Sequence, residues 1–238
     1  MAGKIIVKDR EIVIPGDVVA EGDINLPWSP YLVKFEGKYI VTTIALAEVQ
    51  ENHITLIPLE GSKYIPRIGD EVIGLVTDVS QLGWELDINS PYLGYLPASS
   101  LLGRPVNPGE ELRRYLDIGD YVLGKIEAFD RTTDPLLTVK GKNLGRIPSG
   151  IVLDISPNKV PRVIGRNKSM LNTLVSETGC DIIVSENGRI WAKCPSKQLE
   201  DLLILALKKI ETEAHIKGLT DKITQLLKQR VGEINAKT

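Results

Sequence analysis

Apolar and polar positions follow three different rhythms along this 238-residue chain. Over residues 1–65, short β-branched runs are cut by turn residues. Ile12-Val13-Ile14 leads into Pro15-Gly16-Asp17, Val18-Val19-Ala20 leads into Glu21-Gly22-Asp23, and Tyr39 to Ala45 is rich in Val, Ile and Thr. This pattern predicts a small β-domain. Leu26-Pro27-Trp28-Ser29-Pro30-Tyr31 reads as a proline-stiffened aromatic loop, either a staple under the sheet or a docking surface.

Over residues 66–145 the period is two, with glycines inside the strands. Val72, Gly74 and Val76 share a face, Trp84 to Ile88 alternates in and out, and Tyr92 to Pro97 follows a Ser-Pro turn. Ile68-Gly69-Asp70-Glu71-Val72-Ile73-Gly74 returns as Ile118-Gly119-Asp120-Tyr121-Val122-Leu123-Gly124, and Leu136 to Lys140 closes the set. Five short strands with glycine-marked bends predict a five-stranded barrel of OB type, a fold that binds oligonucleotides.

From residue 146 the period lengthens. Ile151 to Ile155 is an apolar strand, Val160 to Gly165 a short helix, and Ser169 to Thr178 a second helix with Met170, Leu171, Leu174 and Val175 at helical spacing. Gly179 stands where a helix cap belongs. Cys180 to Val184 and Arg189 to Cys194 flank Ser185-Glu186-Asn187-Gly188, a hairpin signal. A long helix follows Pro195, its stripe formed by Leu199, Leu202, Leu203, Leu205, Ala206 and Ile210. A last helix over Leu219 to Ile234 places Ile223, Leu226, Leu227 and Val231 on a face expected to pack on its own domain. The predicted class is therefore multidomain, β followed by α+β: a β-domain at 1–65, a barrel at 66–145 and an α+β region at 146–238.

Composition changes this picture little: 42% apolar and 25% charged residues are ordinary for a globular protein. No apolar run approaches membrane-spanning length, no signal-peptide pattern opens the chain, and a cytoplasmic protein is the expectation. Charge is more informative. The net value of −2 conceals an uneven distribution, because residues 146–238 hold 15 Lys+Arg against 10 Asp+Glu while residues 66–145 hold 8 against 12. Lys159, Arg162, Arg166 and Lys168 are concentrated around Gly165 and Asn167, and no acid lies between Asp154 and Glu177. Four neighbouring cations repel one another unless they meet an anion, so contact with a nucleic-acid backbone is the stronger reading. In the barrel, Trp84, Tyr92 and Tyr95 are candidate base-stacking platforms, and Lys125, Arg131 and Lys140 candidate phosphate contacts. Each of these has a plain alternative as core aromatic or solvated charge. Cys180 and Cys194 fall on opposite arms of the hairpin and would face each other if its loop centres on Asn187; two buried free thiols are the default for a cytosolic chain. Two histidines far apart, no metal-ligand cluster and no phosphate-binding Gly-Lys-Ser/Thr loop leave catalysis and bound cofactors without support.

Gly69 to Val76, Gly94 to Ser99 and Gly119 to Val122 resemble the strands of the S1-type RNA-binding domain. Val163-Ile164-Gly165 before a basic turn resembles a KH domain, whose Gly-x-x-Gly loop clamps nucleic-acid backbone. Gly165-Arg166-Asn167-Lys168 departs from that motif by placing lysine at the second glycine. The module order, together with Asn187-Gly188-Arg189-Ile190-Trp191, resembles the RNA-binding cap subunits of the archaeal exosome. The resemblance implies a non-catalytic subunit that sits in three copies on a hexameric phosphorolytic ring. It would bind single-stranded RNA, feed the 3′ end inward for degradation or ribosomal-RNA processing, and dock through its N-terminal β-domain. A free-standing S1/KH RNA-binding protein linked to translation is the alternative.

Overall fold

The computed structural model describes residues 4–22, 24, 26, 29, 31–50, 53–59, 63–214 and 218–235. It forms two compact units, residues 1–62 and 63–238. In the first unit seven strands follow one another: β1 (Lys4–Ile5), β2 (Glu11–Val13), β3 (Val18–Glu21), β4 (Leu32–Phe35), β5 (Lys38–Val41), β6 (Ala45–Gln50) and β7 (His53–Pro58). They make two antiparallel sheets, β1-β3-β5-β4 and β2-β6-β7. The period-two pattern has the expected effect in β7, where Ile54, Leu56 and Pro58 are buried and His53, Thr55 and Ile57 exposed. Val13, Val19, Ala20, Val41, Ala45 and Ala47 complete the core. In the predicted aromatic loop, Pro27, Trp28 and Pro30 lie outside the described residues, while Leu26 is buried in this core.

The second unit opens with the barrel: β8 (Glu71–Val79), β9 (Gly83–Asp87), β10 (Leu93–Pro97), helix α1 (Ala98–Leu102), β11 (Tyr121–Ala128) and β12 (Leu136–Thr138). The order β10-β9-β8-β11 is antiparallel, and β12 closes it by pairing antiparallel with β11 and parallel with β10. The internal repeat has a structural meaning here. Its two copies pair antiparallel about a local two-fold axis: Ile73 meets its own counterpart Leu123, and the flanking pairs Val72–Gly124 and Gly74–Val122 exchange under the same axis. The flanking bonds obey the same symmetry: Ile126 N–H donates to Asp70 O and Val76 N–H to Asp120 O, while Gly69 N–H donates to Ile126 O and Gly119 N–H to Val76 O, all at 2.9 Å. Gly74 and Gly124 face the barrel interior, where a Cβ would come within 3.1 Å of Leu86 and 3.0 Å of Leu137 respectively. A side chain at either position would have to push a leucine aside by a few tenths of an ångström, so glycine fits the narrow barrel best there.

After a short β13 (Gly145–Arg146) come β14 (Ile151–Asp154), α2 (Val160–Ile164), α3 (Ser169–Thr178), β15 (Asp181–Val184), β16 (Arg189–Lys193), α4 (Lys197–Thr212) and α5 (Leu219–Asn235). The three strands form an antiparallel sheet, β14-β16-β15, covered on both faces. Leu153, Ile182, Val184, Ile190 and Ala192 pack on the helices. Val152, Ile183 and Trp191, on the alternate positions, pack on Ile73, Leu123 and Ile147 of the barrel. This second covered face is why the barrel and the α+β region make one unit.

Two expectations are corrected. Leu205 is 47% exposed and Leu207 takes its place in the core, because two residues beyond Leu203 lies nearly opposite on a helix with 3.6 residues per turn. Cys180 and Cys194 are not free thiols; they form a disulfide, with Cα atoms 4.2 Å apart. The ladder pair Asp181↔Lys193 continues outward to them, and the hairpin does centre on Asn187. The last helix packs on its own region, with Ile223 and Leu227 fully buried.

Candidate nucleic-acid interface

The basic turn joins α2 to α3. Val163 and Met170 anchor the two helices in the core and leave the turn outside. Gly165 has φ +72°, and a Cβ there would lie 2.7 Å from the Met170 amide nitrogen, so only glycine fits. Asn167 (φ 51°, ψ 36°) and Lys168 (φ 61°, ψ 22°) both adopt the left-handed conformation. Lysine at the motif's second glycine thus keeps a backbone that glycine would hold without strain, at a cost of about 1–2 kcal/mol. Arg162, Arg166, Asn167 and Lys168 are exposed and Lys159 is half-buried. Among the described residues none of these four cations forms an ion pair. Among the described residues nothing neutralises them, an arrangement whose charge suits a polyanion.

The barrel residues do not gather into one such site. Trp84 is a correction: it is fully buried, and its indole N–H donates to Leu116 O at 2.9 Å, so it fills the barrel and has no face for a base. Tyr92 is half-buried with its ring edge-on to Phe129, centroids 4.8 Å apart. Tyr95 is half-buried on β10, its hydroxyl end over Gly83 and Glu85 opposite it on β9. Lys125 is exposed on β11, opposite Thr138 and Glu71; Arg131 is exposed with φ 72° in the β11–β12 loop; Lys140 is exposed beyond β12. Acids intrude on this surface, since Asp78 sits directly opposite Glu85 and Asp130 and Asp134 are exposed in the loop that carries Arg131. Hydrogen bonds from the hydroxyls and amides of Thr132 and Thr133 hold the Asp130 carboxyl below the usual carboxylate range, so it stays charged. Phe129 escaped the sequence reading because its pairing with Tyr92 spans the barrel's closure.

A second group of residues matters more than the sequence suggested. Ser185 to Arg189, the tip of the β15–β16 hairpin, is inserted against the barrel. Asn187 Nδ2 donates to Ile73 O and Ile88 O, each at 2.9 Å, and its own carbonyl accepts from Asn89 Nδ2 at 3.0 Å. The Arg189 side chain is 8% exposed; it donates to Asp87 Oδ2 at 2.6 Å, to Asp87 O, to Ile73 O at 3.3 Å and to Asp154 Oδ1 at 3.3 Å. Gly188 has φ +83°, and a Cβ there would lie 2.3 Å from Ile155 O. Partial burial pushes the Asp87 carboxyl up, but the bond and charge of Arg189 and the Asn89 amide outweigh it and leave it below the usual range. The cation of this motif is consumed inside the fold. It fixes the platform from which the basic turn projects.

Residues 10–60 match the family described as the exosome RNA binding protein RRP4 N-terminal domain, and residues 150–198 match a KH domain. A protein of Sulfurisphaera tokodaii named exosome complex component Rrp4 is 60% identical over 230 residues, 97% of this chain and 93% of the relative. The chain belongs to the Rrp4 family. The relative of that name from Saccharolobus solfataricus is 58% identical over 233 residues, 98% of this chain and 94% of its own length. A crystal structure described as that of a candidate exosome complex RNA-binding protein superposes with a TM-score of 0.68 at 47% identity, covering 71% of this chain and 97% of the other. The Rrp4 N-terminal match falls within the first compact unit, and the KH match spans the basic turn and the hairpin tip.

Proposed function

We propose that this Rrp4-family chain is a non-catalytic, RNA-binding cap that holds single-stranded RNA at the mouth of an exosome ring and guides its 3′ end inward. The observation that carries the reading is the set of cations without an ion pair among the described residues, Arg162, Arg166 and Lys168 with Lys159 behind them, on a turn left-handed at Asn167 and Lys168. Gly165 and Asn167 shape that turn. Tyr92 and Tyr95 are secondary stacking contacts and Lys125, Arg131 and Lys140 secondary phosphate contacts, weakened by the acids around them. In this reading the modules at 1–65, 66–145 and 146–238 divide the work into docking, support and grip. One chain offers few phosphate contacts, so three copies on a hexameric ring would share one RNA and gain avidity.

Docking is supported by the outer face of the β2-β6-β7 sheet. Ile12, Leu46 and Ile57 form one cross-strand row, and Ile14 and Ile44 extend it. Four of these are large aliphatics at 37–61% exposure, an apolar patch of the kind that marks a protein partner. A cytoplasmic setting is part of the same proposal; among the described residues no helix is long and apolar enough to cross a membrane.

A gel-shift assay with poly(A) tests the reading. The chain together with ring subunits should bind more tightly than the ring alone, and equal binding would sink the proposal. Co-purification of the native chain with ribosomes instead of ring subunits would favour a translation-linked RNA-binding protein.

A further inference from the structure

The β15–β16 hairpin is held at its two ends by different means. Its tip is hydrogen-bonded into the barrel by Asn187 and Arg189. At its open end Gly179, Asp181, Lys193 and Pro195 are exposed, and Cys180 alone is buried in the core. Here Cys180 and Cys194 are joined one position beyond the last ladder pair. Cys180 follows Gly179, the C-cap of α3, and Cys194 comes two residues before Ser196, whose hydroxyl caps α4. One covalent bond therefore ties the end of α3, both hairpin strands and the start of α4.

We propose that the Cys180–Cys194 bond is a redox-set brace on the KH-like region, shielded from reduction while the region is folded. It forms when the two thiols give up two protons and two electrons to a disulfide donor, small-molecule or protein, which leaves as two thiols. In the reverse direction a dithiol reductant reaches Cys194, the partly exposed member, and must expel Cys180 as a thiolate. Cys180 is 1% exposed among Met170, Leu174 and neighbouring core residues, surroundings that disfavour a thiolate leaving group. Reduction is slow in the folded chain and fast once the hairpin base has opened, so the brace persists in native molecules and is lost in those already opening.

The experiment uses the full chain, isolated under an alkylating quench, with dithiothreitol as the reductant. Intact mass should show no alkylated cysteine before reduction and two after it. Reduced wild type and the C180S/C194S double variant should both melt roughly 6–12 °C lower than the oxidised chain, the shift expected for a closed loop of this size in a unit of this length. Amide exchange at Asp181 and Lys193 should quicken while the hairpin tip stays protected. Dithiothreitol should reduce the chain at least tenfold faster in denaturant than under native conditions. Two alkylated thiols in the quenched native protein, or a melting temperature unmoved by reduction, would overturn the brace; equal reduction rates would overturn the shielding. If the double variant fails to fold, the oxidised and reduced wild-type pair decides alone.

Discussion

Two turns of the KH-like region are built from nearly the same residue types and have opposite fates. Gly165-Arg166-Asn167-Lys168 and Asn187-Gly188-Arg189 each combine a cation, an asparagine and a glycine that no other residue can replace. In the second turn the asparagine and arginine face backbone carbonyls and the carboxylates of Asp87 and Asp154, and the cation disappears into the fold. In the first no carboxylate among the described residues pairs with the cations, and Arg166 and Lys168 remain outside. What separates an anchor from a binding site is therefore the presence of internal acceptors, since the residue types are shared.

The largest effect should come from breaking the anchor. Arg189→Ala removes the buried donor to Ile73 O and Asp87 O and should cost the 63–238 unit about 2–3 kcal/mol in urea unfolding, less than a fully buried pair because the Asp87 carboxylate is 40% exposed, with RNA affinity falling only as the folded fraction falls. A loss under 1 kcal/mol would mean that water replaces the arginine. Reversing the other turn should do the converse. Arg166→Glu with Lys168→Glu should leave the unfolding midpoint nearly unchanged, weaken poly(A) binding at least tenfold, and flatten the salt dependence by about 1.4 in log–log slope, two single-strand phosphate contacts. An unaltered slope would move the RNA site to the barrel.

A finer division comes from Lys168→Gly, which removes the charge and the left-handed strain together. It should stabilise the fold by about 1 kcal/mol while lowering RNA affinity; a loss of stability would refute the strain. The smallest effect concerns the edge of the anchor. Glu186 is raised above its ordinary value, first by burial and then by the negative charges of Asp70 and Glu71. A carboxylate with a raised folded pKa destabilises once pH exceeds that value, and the cost vanishes below the ordinary 4.5. Glu186→Gln should therefore gain a few tenths of a kcal/mol at neutral pH, discounted for its exposure, and nothing in acid.

Much of the fold could be read in advance because its signals are local. Alternation marked the barrel strands, Gly179 marked the end of α3, and Asn187-Gly188 centred the hairpin. What escaped was set by distant contacts. Trp84 has the same look in sequence whether it fills a barrel or faces a base; the carbonyl of Leu116, thirty-two residues away, decides it. The register that brings Cys180 to Cys194 was legible as a condition, but not their bonding, because sequence alone did not show which compartment's redox chemistry applies. The basic turn was legible as charge, whereas the left-handed backbone at Lys168 was not, since lysine rarely adopts it.

The sheet covered on both faces also has a consequence in time. The barrel is complete in the growing chain well before the hairpin that seals it has been made. Until Asn187 and Arg189 emerge, the carbonyls of Ile73, Asp87 and Ile88 lack the donors those two side chains bring, and Ile73 and Leu123 lack the hairpin residues that cover them. A chain halted during synthesis between the two would display this wet, half-apolar wall. The barrel's last surface is thus finished by a segment made long after it, and early release of a truncated chain leaves a face ready to adhere to another.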